Sequence, residues 1–307
     1  MLLAVGWLLG CLLVLAAAAP RRLAAATWPT RAPSYALALW QAVGLAVGLL
    51  AILACLTVAL TPAGDTHAAA VSALVAGTSA PPPWWSWLAL ALAVLLFLRL
   101  LTVLTTSAVS TLRARHRNRV LVDLVATRNP LLARTRVVDH DLPTAYCLPG
   151  LRPRVVVSRG VLDLLREDEV RAVLAHENAH VDQRHDLVVL PFVALRATFP
   201  RSAGVRTAQV QVALLVEMLA DDRATRRHPP AVLARALHKI GAAHAPLSGP
   251  GVGAAVVADD TGTLLRASRL VSPRPPLSVP GRLAVVGATA LVLLLPVVGL
   301  VLPVTTA

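Results

Sequence analysis

Four long stretches of this chain are almost free of charge, and they limit what it can fold into more than any other feature. Residues 1–19, 36–60 and 283–304 hold no charged side chain, and residues 85–109 hold only Arg99. A hydrocarbon core about 30 Å thick is crossed by about 20 helical residues. Each stretch is therefore long enough to span a bilayer, and a mean hydropathy of +0.68 excludes an ordinary soluble domain. The first stretch lacks the positive start of a signal peptide, and Arg21 and Arg22 follow it, so it reads as a retained span. The expected class is mostly α: four transmembrane helices, with residues 110–280 forming a separate α+β domain between the third and the fourth.

Loop charges set the expected orientation. Residues 20–35 carry Arg21, Arg22 and Arg31 and no acid, whereas residues 61–83 carry Asp65 and no Lys or Arg. Residues 110–280 open on Arg113, Arg115, Arg117 and Arg119. Cytoplasmic loops concentrate Lys and Arg, so the 110–280 domain is expected in the cytoplasm of a multi-pass plasma-membrane protein, with both chain ends outside. Trp84, Trp85 and Trp87 fit an aromatic belt at the outer interface. The net charge of +13 invites a nucleic-acid reading. No basic recognition helix or aromatic-interleaved stripe accompanies it, so the expected partner is anionic lipid, not nucleic acid. Twenty-eight Arg against one Lys, with abundant Ala, Val and Leu, suggests a high-GC bacterial source.

Within the large loop, His176-Glu177-Asn178-Ala179-His180 reads H-E-x-x-H inside a helix-forming stretch. Residues four apart share a helix face, so His176 and His180 can offer two imidazoles to one metal ion, with Glu177 beside them as a base. The chain has only four Glu, which makes a chance match rare. Glu217 and Asp221 follow, again four apart on a periodic segment. A catalytic zinc site takes three protein ligands and leaves one position open. Glu217 fills the third place, and Asp221, one turn on, can accept the free N–H of a ligating histidine. Asp186 and His185 are further candidate ligands, but position 183 is Gln where a sharp turn returning residue 186 would need Gly. Both read better as supporting or surface groups. Cys11 and Cys55 lie in spans and Cys147 in the loop, so no disulfide framework is expected.

Around this motif the loop reads as a mixed domain. A helix or linker covers residues 111–128, and a strand starts at Val137. Ala145–Leu148 and Arg154–Ser158 form a hairpin about a Pro149-Gly150 turn. Residues 163–180 read as one helix, with Glu167, Asp168 and Glu169 near its start, as the macrodipole favours. The apolar run 187–199 is broken by Pro191. Residues 231–243 form a helix, residues 245–262 are flexible, and residues 264–271 are a short basic amphipathic piece. Residues 62–83 are a short external connection.

Tyr146-Cys147-Leu148-Pro149-Gly150, Arg152-Pro153 before a valine run, Val173-Leu174-Ala175-His176-Glu177, Glu217-x-x-Ala220-Asp221 and Arg266-x-x-Arg269-Leu270 together resemble the BlaR/MecR-type integral membrane metallopeptidases. The layout of three spans, a zinc domain and a fourth span is similar too. The resemblance implies a gluzincin, with one Zn2+ on His176, His180 and Glu217 and with Glu177 as catalytic base. It also implies signal transduction through cleavage of a cytoplasmic protein, a winged-helix repressor. The chain departs from the drug-sensing members: Ala236 stands three residues before the sole lysine, Lys239, so there is no Ser-x-x-Lys acylation site and no penicillin-binding sensor. Two alternatives stay open, a quality-control peptidase of the membrane heat-shock type and a non-catalytic signalling scaffold.

Overall fold

A computed structural model describes residues 2–79, 81–125, 127–128, 135–148, 154–244 and 254–301. The chain divides into two compact units, one of residues 1–106, 191–211 and 277–307, the other of residues 107–190 and 212–276.

The first unit holds four helices long and apolar enough to cross a membrane: Ala4–Ala25, Pro33–Leu60, Trp84–Ser110 and Val279–Val301. The first is α1 (Leu2–Leu13), a π turn (Val14–Ala18) and α2 (Ala19–Ala25), and it runs on through Arg21 and Arg22. Pro20 has no N–H to give the carbonyl four residues back. Gly204 packs against that carbonyl, and a Cβ there would lie 2.7 Å from Ala16 O. Helix α3 (Pro33–Leu60) is the centre of this unit. Its Leu39, Val43, Ala46, Leu50 and Leu53 pack with Leu8 and with Val285, Val292 and Leu295 of α12 (Val279–Val301). Gly299 lets α12 approach α1, because a Cβ would collide with Leu8.

The expected plain connection at 62–83 contains a helix, α4 (His67–Ala76). Thr66 Oγ1 caps its start by accepting from Ala69 N at 3.1 Å. Gly77, at φ 67°, ends it in the left-handed conformation that suits glycine. His67 is buried, with Nε2 2.8 Å from Thr57 Oγ1 and Nδ1 3.0 Å from Leu300 O.

Helix α5 (Trp84–Val125) continues the third span, and the second unit holds a four-stranded sheet. The strands are β1 (Thr127–Arg128), β2 (Thr135–Val138), β3 (Ala145–Leu148) and β4 (Arg154–Ser158), in the order β1-β2-β4-β3. β3 and β4 are antiparallel, with Leu148 opposite Arg154, as the hairpin reading requires. Its Pro149-Gly150 turn lies outside the described residues. β2 runs parallel to β4. Val155 and Val157 face one core with Val161, Val170, Val173 and Leu174, while Val156 packs with Leu148 on the other face. β4 is thus buried on both sides, as a run of valines allows.

The single helix expected over 163–180 is two helices, α6 (Arg159–Leu164) and α7 (Glu167–Asp182). Leu165 is extended at the break, and Arg166 N donates to Glu169 Oε2 at 2.9 Å, which restarts the helix. Glu169 is buried and also accepts from Lys239 Nζ at 2.7 Å, tying α7 to α10 (Pro230–His244).

Pro191 does not break the run 187–199. It lies inside α8 (His185–Thr198), where a proline removes one hydrogen bond, and the helix continues with Phe192 buried beneath Gly44 of α3. The helices not yet placed are α9 (Ala203–Ala224) and α11 (Ala254–Val271). The latter starts inside the segment expected to be flexible, whose residues 245–253 lie outside the description.

Candidate metal centre

Two helices bring the predicted residues together. His176 and His180 stand one turn apart on α7, and Glu217 and Asp221 one turn apart on α9. His176 Nε2 lies 3.1 Å from His180 Nε2 and 3.3 Å from Glu217 Oε2, and His180 Nε2 lies 3.5 Å from Glu217 Oε1. Ligand bonds of about 2.0–2.1 Å around a tetrahedral ion give edges of about 3.3–3.4 Å. The three separations match those edges, so His176, His180 and Glu217 fit one divalent cation.

The far sides of both rings fit as well. His176 Nδ1 is 2.9 Å from Asp221 Oδ1, an ion-pair distance without the alignment of a straight hydrogen bond. Asp221 therefore stands where the sequence put it, one turn behind the cluster and against the ring of His176. His180 Nδ1 is 3.0 Å from His185 Nδ1. His185, the alternative ligand, is thus behind His180 and not among the three residues that converge. Asp186 and Cys147 line the neighbouring cavity.

Arg266, on α11, is the main residue that sequence reasoning left without a role. It is buried, and it grips Asp221 with Nε and Nη2, each at 2.8 Å, while Nη1 reaches Glu217 Oε2 at 3.0 Å. A fork of fixed geometry suits this double contact. The signal was available: a carboxylate placed to be buried behind a metal ligand needs a counter-charge, and the amphipathic piece at 264–271 supplied one. Arg269 repeats the pattern with Asp222 at 2.7 Å.

These neighbours set the protonation of the site. Burial opposes a charge on Asp221, but the hydrogen bonds from Arg266 override it and hold the carboxyl below its usual range. Glu217 is likewise held low: burial acts against it, and contacts with His176, His180 and Arg266 prevail. Burial disfavours the cationic form of His176, yet Asp221 and Glu217 draw it up to about 9. Burial pushes Glu177 up, with His176 and His180 pulling part of the way back. Burial, followed by the neighbouring His180, presses His185 down to about 4. Burial and the charge of Glu177 take the Cys147 thiol to about 12, which keeps it protonated.

A cavity of about 410 Å3 opens beside His180 and Glu217, lined by Tyr146, Cys147 and Leu148 of β3 and by Val189, Ala213 and Val216. In the described sheet β3 is an outer strand. Its free edge offers backbone groups to an extended chain lying in that cavity.

Two histidines from α7 and a glutamate from α9, with an acid beside them and a cleft along a strand edge, are the working parts of a metallopeptidase-type centre. Consistent with that class, residues 111–243 match Peptidase family M48. The chain is also similar to a Protease HtpX homolog of Methanothermobacter thermautotrophicus, 38% identical over 60 residues, which cover 19% of this chain and 23% of that protein. A Protease HtpX homolog of Aeropyrum pernix is 42% identical over 72 residues, covering 22% and 23%. The chain thus spans under a quarter of the length of these curated relatives. No solved structure matches.

Proposed function

We propose that this protein is a multi-pass membrane zinc endopeptidase, with His176, His180 and Glu217 as metal ligands and Glu177 as general base. One observation carries the reading. Both outer imidazole nitrogens have a close neighbour behind them, Asp221 Oδ1 at 2.9 Å from His176 Nδ1 and His185 Nδ1 at 3.0 Å from His180 Nδ1. That arrangement turns both Nε2 atoms and the Glu217 carboxylate on one another, a grouping of ligand atoms that a cation satisfies.

Bound there, zinc supplies a Lewis acid that acidifies water and polarises a scissile carbonyl. Glu177 takes the proton of the attacking water and passes it to the leaving amine. Its raised pKa brings it nearer the range in which one carboxyl can do both. β3 orients the substrate by backbone pairing, which accepts many sequences. Arg266 uses its guanidinium on Asp221 and Glu217, so its part is to hold the ligand helix, not to meet the reacting carbonyl.

The similarity to two proteases named HtpX homolog draws the substrate reading toward the membrane quality-control peptidases. The repressor-cleaving alternative rests on the BlaR/MecR-like layout of spans and motif, and with it goes a cytoplasmic placement of the peptidase unit. One experiment separates them. The full chain and its Glu177→Gln form are each co-expressed with an unstable multi-span membrane protein and with the winged-helix regulator encoded nearest to it. Loss of the unstable protein alone, only with unaltered Glu177, supports quality control. Loss of the regulator alone supports transduction. Equal loss with both forms removes the centre from the explanation and favours a scaffold.

A further inference from the structure

Helix α7 ends two residues after His180, and the turn that follows has a conformation few arginines adopt. Gln183 N closes the helix on Ala179 O at 3.0 Å, and Arg184 N bonds Val181 O at 3.2 Å. Arg184 has φ 49°, in the left-handed region. Such a residue costs about 1–2 kcal/mol. Glycine is the ordinary choice at this place. The turn swings His185 back under the helix it has just left, where it is 3% exposed and its ring stands 4.9 Å from that of His180.

With the Gln183 amide turned so that Oε1 faces the ring, the hydrogen bonds leave one assignment of protons. His185 Nε2 lies 3.0 Å from Gln183 Oε1. An amide oxygen only accepts, so His185 carries its hydrogen on Nε2. The neutral ring is bare at Nδ1, which faces His180 Nδ1 at 3.0 Å. His180 must therefore donate from Nδ1, and its lone pair is left at Nε2, the atom that faces His176 and Glu217.

We propose that His185, its tautomer set by Gln183, is the positioning residue that fixes His180 as an Nε2 metal ligand. The inference rests on the metal-site reading above. It also makes the two ligand rings unequal. His176 is backed by a carboxylate and His180 by a neutral ring, so the second ligand is oriented without adding negative charge to the site. Carboxylates and backbone carbonyls are the usual partners in this place.

The test is zinc affinity of the purified full-length protein, stripped with a chelator and titrated against a chromophoric zinc competitor. His185→Leu removes the acceptor. His185→Asn puts an amide oxygen where the ring had Nδ1. Gln183→Leu, at an exposed position, frees the tautomer while keeping the ring. Losing such a partner typically weakens binding about 10–100-fold, the result expected for His185→Leu. His185→Asn should recover most of that loss, and Gln183→Leu should bind several-fold more weakly than the unaltered protein. Unchanged affinity in both leucine variants, or His185→Asn as weak as His185→Leu, overturns the proposal alone. An unaltered protein that takes up no zinc overturns the metal-site reading and this inference together.

Discussion

Replacing Arg266 by Met keeps the apolar stem and removes the guanidinium. Asp221, whose side chain is 1% exposed, then loses two bonds of 2.8 Å and keeps His176 as its neighbour. A pair at about 4 Å and an effective dielectric near 20 interacts by about 4 kcal/mol. The contact to Glu217, which is 37% exposed, is screened and adds at most about 1 kcal/mol. Protonation of Asp221 and release of the arginine's desolvation penalty offset part of this. The expected net loss is about 3 kcal/mol, the low end for breaking a buried pair. For a unit of this size that is about 6–12 °C in melting temperature. Calorimetry or far-ultraviolet dichroism of the metal-free protein should show it. Tryptophan fluorescence should not, since all six Trp lie in the first unit. Adding Asp221→Asn should remove most of the loss, because the stranded charge is gone, leaving a coupling of about 2 kcal/mol. Arg266→Lys should recover less than half, lacking the fork. A melting temperature within 2 °C (roughly 1 kcal/mol or less) for Arg266→Met, or simple addition of the two single losses, would refute the reasoning.

Glu177→Gln should lower peptidase turnover about 10²–10⁴-fold while the zinc content per chain stays unchanged; turnover near that of the unaltered enzyme would exclude the base role. Glu169 has its carboxyl held low: burial opposes this, but Lys239 and the Arg166 N–H prevail. Its folded pKa is thus below the ordinary 4.5, so its stabilisation is complete above that pH and is lost as pH falls through the lowered value. Glu169→Gln should melt lower than the unaltered protein at pH 7 and converge with it in acid, and parallel profiles would sink the idea. Arg184→Gly removes left-handed strain at some entropic cost, so the melting temperature should hold or rise by the equivalent of up to about 1 kcal/mol; a clear fall would mean that the turn is not strained.

The apolar spans and the HExxH and Glu217/Asp221 pairs were legible because each depends on spacing along one helix, which a sequence displays directly. The hairpin was legible for the same reason, from two short runs about a turn. What lay hidden depended on where helices end. The break at Leu165 follows from a side chain of Glu169 reaching back to Arg166 N, which leaves no periodic trace. His185 reads as facing away from His180 if α7 continues, and only the left-handed Arg184 reverses that. Helix α4 carried signals at both ends, Thr66 and Gly77, but its Ala- and Ser-rich body resembles linker. Arg266 is 45 residues from Asp221, and no local pattern joins them.

Lys239 closes the bridge between α7 and α10, and it is also the chain's sole lysine. Its side chain is 35% exposed, and its ammonium is engaged with Glu169. Amine-reactive labels and lysine-specific proteases therefore have one internal target in the whole polypeptide, and that target reacts fully only when the two helices part. The rate of modification at this single atom gives a native gauge of how often the second unit opens, read without installing a probe.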